Sequence, residues 1–208
     1  MTSSNVTWHA GHVARVERQH VLGGRGATLW LTGLSGSGKS TLAAAVERHL
    51  VNEGRNAYRL DGDNLRTGLS SDLGFSREAR EENTRRASEV ACLFADAGVV
   101  AIVALISPYA EARRRARQLH ERAGIPFVEV YMAASVEVCA DRDPKGLYSR
   151  ASDGRIGRFT GVDDPYEVPE APDLVVEPGT SVDDAVDGVL KALVRAEGAS
   201  HQPGAAGT

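Results

Sequence analysis

Five short runs rich in apolar residues punctuate the chain: ATLWLT at 27–32, NAYRLD at 56–61, VVAIVALI at 99–106, PFVEVYM at 126–132 and DLVVE at 173–177. Between them lie longer stretches of helical period: STLAAAVERHLVNEG, a segment beginning near SREAREEN, and AEARRRARQLHERAG, each closed by a glycine suited to a helix C-cap. Strands alternating with helices predict an α/β fold, a doubly wound, mostly parallel sheet with helices on both faces. The rhythm breaks over 142–169, RDPKGLYSRASDGRIGRFTGVDDPYEVP, which is charged, rich in glycine and proline, and aromatic without periodicity. A loop of that length is expected to act as a lid. The expected organisation is an N-terminal extension over 1–24, one domain over 25–195, and a disordered tail over 196–208, AEGASHQPGAAGT.

The 208 residues carry a formal charge of −4 and 42% hydrophobic residues. That describes a soluble single domain and argues against a general nucleic-acid or membrane-surface binder. Any anion site must be built locally. Cys92 and Cys139 lie in apolar stretches without metal or redox spacing and are expected in the core. The opening MTSSNVTWHAGHVARVER lacks an apolar h-region, and no run approaches the roughly 18 apolar residues of a membrane span, so the expected compartment is the cytoplasm. Histidines at 9, 12, 20, 49, 120 and 201 show no ligand spacing, which leaves Mg²⁺ as the one metal proposed.

GLSGSGKST, residues Gly33, Leu34, Ser35, Gly36, Ser37, Gly38, Lys39, Ser40 and Thr41, follows the first strand and precedes a helix. This is the G-x-x-x-x-G-K-S phosphate loop in its required strand-to-helix context. Its glycines open backbone conformations in which successive N–H groups face an anion, and the helix adds its positive end. Lys39 is expected on the β- and γ-phosphates of a nucleoside triphosphate and the Ser40 hydroxyl on Mg²⁺. The loop alone leaves a GTPase switch, an ATPase motor and a small-molecule kinase open. A base-reading N-K-x-D stretch is missing from the sequence, as is the larger module of a motor.

YRLDGDNLR ends the second strand with carboxylates at i and i+2, so Asp61 and Asp63 are expected on one side near its carboxyl end, where open α/β sheets bind ligands. Were this strand to neighbour the phosphate-loop strand, one carboxylate would hold water on Mg²⁺. The other would face an acceptor hydroxyl as general base. On the next helix Arg80, Asn83, Ala87, Val90 and Phe94 share a stripe that is polar at its N-terminal end and apolar beyond. Such a helix packs on the sheet while Arg80 and Asn83 border a cleft, with arginine matched to phosphate or sulfate oxygens. Phe75, just before it, suits either base stacking or a hydrophobic staple.

With these residues in view, the chain resembles the adenylylsulfate kinases from about residue 5 to 178. The likeness runs through NVTWHAGHVARVERQ, WLTGLSGSGKST, LDGDNLRTGLSSDLGFSREAREENTRR, ALISPY and the 142–169 segment, in order and spacing. The resemblance implies a P-loop kinase that moves the γ-phosphoryl of MgATP to the 3′-hydroxyl of adenosine 5′-phosphosulfate (APS), giving 3′-phosphoadenosine 5′-phosphosulfate and ADP. It implies Asp63 as base or metal organiser, with Arg66, Arg80 and Asn83 on the phosphosulfate substrate. Phe75 and Phe159 would sandwich the adenine, Ile106 and Ser107 would line the acceptor site, and Lys145, Gly146 and Leu147 belong to the lid. Metal contacts fall to Ser40, Asp63 and Asp61. Lys145 and Arg158 would neutralise transition-state charge. Family descriptions also give the serine matching Ser107 as a phosphoserine intermediate, whereas by its place before Pro108 it could equally cap the next helix. A homodimer and a functional link to an ATP sulfurylase are implied as well, with Trp8 and Val13 as anchors of the N-terminal extension. Ser149, Thr67 and Ser70 depart from the basic residue, His and Asn frequent in the family. The alternatives are a P-loop kinase for another nucleotide or natural-product hydroxyl, and a non-catalytic nucleotide-binding regulatory subunit.

Overall fold

The computed structural model describes residues 7, 9, 11–143, 145–155, 157 and 159–199. Elements follow in the order α1 (Arg15–Leu22), β1 (Ala27–Thr32), α2 (Lys39–Asn52), β2 (Ala57–Asp61), α3 (Gly62–Leu65), α4 (Arg77–Ala97) and β3 (Val100–Ala104). Then come α5 (Ala110–Arg122), β4 (Phe127–Met132), α6 (Val136–Arg142), α7 (Leu147–Ser152), β5 (Leu174–Val176) and α8 (Val182–Ala199). All five expected strands form, and every pairing between them is parallel.

The sheet order is β2-β3-β1-β4-β5. β3 therefore separates β2 from β1, and the neighbouring arrangement considered from the sequence does not hold. Strand residues alternate between two cores, as a period of two requires. Leu29 and Leu31 join one core with residues of α2 and α8, while Trp30 joins the other with Ala87 and Ala91 of α4 and Ala116 of α5. Both faces of the central strands are thus covered, and β1 and β3 are buried throughout.

The helix ends are set by local chemistry. The Ser76 hydroxyl accepts from the Ala79 amide at the start of α4, and Gly98 closes that helix at φ 101°. Its buried stripe runs through Arg80, Asn83, Thr84, Ala87, Ala91 and Ala95, while Val90 and Phe94 flank it half-buried. The 142–169 segment contains more structure than its composition suggests, including α7 and a third apolar cluster of Leu34, Ala134, Cys139, Tyr148 and Phe159. α8 continues to Ala199, so a helix occupies the first residues of the segment expected as a tail. Cys139 is buried and Cys92 half-buried. Among the described residues no helix is long and apolar enough to cross a membrane. Trp8, Arg158 and His201 lie outside the described residues.

Candidate active site

A cleft of about 570 Å³ opens at the carboxyl ends of the strands, where an open parallel sheet presents its loops. Residues Ser35 to Thr41 form one part of its wall. Gly33, Gly36 and Gly38 adopt φ of 145°, 78° and 101°, a region that side chains disfavour. At Gly33 an added Cβ would also lie 2.8 Å from the Met132 carbonyl oxygen. Lys39 heads α2 and is buried, its Nζ donating to the carbonyls of Gly33 (2.8 Å) and Leu34 (2.6 Å). Burial lowers its pKa from 10.5 to about 8. Gly33 and Leu34 themselves do not line the cleft. They brace Lys39, and Leu34 enters the third apolar cluster.

Asp61 and Asp63 both line the cleft, but not as two residues of one strand. β2 ends at Asp61, which becomes the N-cap of α3 and accepts from the Asp63 amide at 3.1 Å. Asp61 is buried and accepts from Ser40 Oγ at 2.7 Å. Asp63, in the first turn of α3, is exposed and pairs with Lys145 of the lid. The two carboxylates thus face different partners. Asp61 and Ser40 make an oxygen-donor pair of the kind Mg²⁺ takes alongside substrate phosphates.

Opposite the phosphate loop the cleft is lined by Arg66, Phe75, Arg80 and Asn83. Phe75 is 58% exposed, which rules out a buried staple, and the Arg66 guanidinium sits 4.3 Å from its ring centre. Arg66 is held there by the carbonyls of Leu73 and Gly74, each at 3.0 Å. Arg80 donates to the Phe75 carbonyl at 3.1 Å and lies 3.6 Å from Asp164. Asn83 Oδ1 is buried without a protein hydrogen-bond partner. A buried acceptor left in that state inside a cleft fits one that a ligand donor completes.

Ile106 and Ser107 form the floor. Ser107 does not cap α5, whose N-cap is Tyr109. It is buried at φ 39°, its Oγ accepting from Trp30 Nε1 at 3.1 Å and donating to Thr32 Oγ1 at 3.0 Å. Thr32 Oγ1 in turn donates to the Ile106 carbonyl at 2.8 Å. Lys145 lines the cleft, whereas Gly146, at φ 61°, starts α7 and Leu147 packs in the lid cluster. Phe159 is not brought opposite Phe75. It is buried against Tyr148, edge-on at 4.9 Å, inside the lid's own cluster. Of the departures, Ser149 bonds Asp143, Thr67 bonds the Asn64 carbonyl at 2.7 Å, and Ser70 is buried with an unpartnered hydroxyl.

The model of the family described as Adenylylsulphate kinase matches residues 25–177, a span that includes the phosphate loop, Arg66, Phe75, Arg80, Asn83, Ile106 and Ser107 of this cleft. The chain belongs to the adenylylsulphate kinase family. An adenylyl-sulfate kinase of Clostridium acetobutylicum is 52% identical over 192 residues, covering 92% of this chain and 94% of its own. One from Penicillium chrysogenum is 54% identical over 182 residues, covering 84% and 86%. Among solved structures, that of the Mycobacterium tuberculosis APS kinase in complex with AMPPNP and APS superposes with a TM-score of 0.80 at 52% identity, covering 82% of this chain and 99% of that one. Beyond the residues expected from sequence, this family member lines its cleft with Arg142 and with Glu177, Pro178, Gly179, Thr180 and Val182. The latter follow β5, and the rule that ligands sit beyond strand carboxyl ends could have drawn attention to them.

Proposed function

We propose that this chain phosphorylates the 3′-hydroxyl of adenosine 5′-phosphosulfate with MgATP by direct in-line transfer, using Asp63 as the general base. The observation that carries the reading is a single cleft. It joins a phosphate loop to Arg66, Phe75, Arg80 and Asn83, a set suited to a nucleotide with an anionic tail. The domain responsible is taken as 25–195, with the lid at about 142–169.

Residues Ser35 to Thr41 hold the donor phosphates through backbone amides, with Lys39 supplying positive charge. Ser40 and Asp61 hold Mg²⁺, whose bound charge offsets that of the phosphates. Asp63 is the freer carboxylate of the pair, and it accepts the proton of the attacking hydroxyl. Arg80 and Asn83 orient the phosphosulfate, and Phe75 with Arg66 offers a face on which adenine stacks. Phe159 reaches the adenine only if the lid rearranges. Lys145 moves from Asp63 toward developing charge as the lid closes, which also keeps water from the γ-phosphate. The Ser107 hydroxyl, engaged by Trp30 and Thr32, serves the floor rather than a covalent step.

The homodimer draws support from the exposed valines Val13, Val16 and Val21 on and beside α1, and sedimentation measures it. A cytoplasmic setting and a link to ATP sulfurylase accord with an acceptor that a sulfurylase makes.

The test is ADP release with MgATP and adenosine 5′-phosphosulfate, with the 3′-position of the product verified, alongside Asp63→Ala. A fall in kcat of about 10²–10⁴-fold with donor affinity retained is expected for loss of a general base. Wild-type protein that binds ATP but does not turn over this acceptor would overturn the reading.

A further inference from the structure

Arg113 is the first arginine of the run RRRAR in α5, two residues after Glu111, and its neighbours Arg114 and Arg115 are exposed and paired with Glu111. Arg113 instead points inward, its side chain 2% exposed. Its three nitrogens go to three different parts of the molecule. Nε donates to Glu129 Oε1 of β4 at 2.9 Å, Nη1 to the Ser107 carbonyl at 2.7 Å, and Nη2 to the Glu167 carbonyl at 2.6 Å. Ser107 sits at φ 39°, in the positive range that residues other than glycine rarely adopt, a conformation that persists only where surrounding bonds impose it. Glu167 belongs to the segment returning from the lid. Around it the Glu167 amide donates to the Pro108 carbonyl at 2.8 Å, and Glu167 Oε2 accepts from the Ala110 amide at 2.7 Å. Tyr109 Oη donates to Asp164, which also lies beside Arg80. Tyr166 completes the junction through a 2.9 Å hydrogen bond between its hydroxyl and Thr32 Oγ1.

We propose that Arg113 is a positioning residue for the acceptor nucleotide: it fixes the strained Ile106–Ser107 floor and ties that floor to the root of the lid. The assignment rests on the reading of this floor and of Arg80 as the acceptor side. A planar fork is needed because the two carbonyls and the carboxylate lie around one guanidinium. A lysine can keep the charge next to Glu129 but cannot serve all three acceptors in that plane. Arg113→Lys therefore separates a positioning role from a purely structural one. If the residue merely balanced Glu129, lysine would restore both folding and kinetics.

The experiment measures Tm and the KM and kcat for each nucleotide in Arg113→Lys, Tyr166→Phe and, as a direct acceptor contact, Arg80→Met. Arg113→Lys is expected to raise the KM for adenosine 5′-phosphosulfate about tenfold and lower kcat, with the KM for ATP within about twofold of wild type. Tyr166→Phe, which deletes one hydroxyl, moves the acceptor KM in the same direction by less and decides the matter if Arg113→Lys fails to fold. Acceptor constants unchanged in Arg113→Lys, or in Tyr166→Phe where the lysine variant does not fold, while Arg80→Met raises them, would overturn the role of Arg113 alone. Equal losses for both nucleotides in Arg113→Lys would also overturn it. An Arg80→Met variant with unaltered acceptor KM would overturn the acceptor-side reading and this proposal with it.

Discussion

Lys39 shows how a single buried charge links the phosphate loop to pH. Burial is the leading cause of its shift from 10.5 to about 8, and the nearby Lys145 adds to it. Between those values the unfolded chain binds more protons than the folded one, so this group's contribution to stability rises with pH through that window. Below about 8 the cost of the buried ammonium is present in full. Donor phosphates beside Lys39 favour the ammonium and raise its pKa again. ATP binding should therefore take up close to one proton near pH 9, and almost none from this group at pH 7, because one pH unit above a pKa leaves about nine-tenths of a group deprotonated. Calorimetric titration in buffers of different ionisation enthalpy measures the uptake. A flat profile between the two pH values would mean that Lys39 is already neutral or never approaches the phosphates.

Elements fix where these side chains end, and one glycine shows how little room they leave. Gly26, just before β1, would place an added Cβ 1.9 Å from the Ala95 carbonyl oxygen at the end of α4. That atom is backbone, so relief requires moving β1 or α4. Gly26→Ala is expected to destabilise by about 1–3 kcal/mol, as overpacking does, and to lower Tm by roughly 2–4 °C for each kcal/mol in a chain of this size. Thermal melting checks it, and an unchanged Tm would show that the junction yields freely. The same scale explains what could be read in advance. β1 and β3 were plain because burial on both faces makes them continuous apolar runs, and GLSGSGKST needs only its flanking strand and helix. Strand order was not readable: nothing in NAYRLD or VVAIVALI says which one lies beside β1. The i, i+2 rule misplaced Asp61 and Asp63 because the strand stops at Asp61, where capping α3 replaces another pleat. Phe159 was hidden by its loop, since local spacing does not reveal an apolar cluster formed with Leu34 and Cys139. Nothing in the spacing of AEARRRARQLHERAG singles out Arg113, whose burial with Ala112, Ala116 and His120 only the folded α5 shows.

Across the whole molecule, α4 separates the reaction from the N-terminal helix. Arg80 faces the cleft near one end and Asp96 lies near the other, 16 residues on, or about 24 Å at helical rise. α1 buries no residue and docks through charge, with Arg15 and Arg18 both bonded to Asp96 and Arg15 also reaching the Ala123 carbonyl at 2.7 Å. Burial pushes the Asp96 carboxyl up, but the hydrogen bonds and charges of Arg15 and Arg18 outweigh it and hold the group below its ordinary value. This docking is thus strongest above the ordinary carboxylate range and weakens as pH falls through the depressed value. All three side chains are about a third exposed, so water and salt screen the contact to no more than about 1 kcal/mol. Asp96→Asn should therefore speed hydrogen exchange of the α1 amides by up to about fivefold, that energy expressed as a ratio. Turnover should stay within about twofold, because the helix between the sites is rigid and its cleft end is capped independently by Ser76. Faster exchange with normal turnover would establish α1 as a peripheral clamp. A matching loss of turnover would mean that α4 transmits the state of α1 to Arg80, and exchange at the Arg80 and Asn83 amides in the same experiment would reveal that coupling directly.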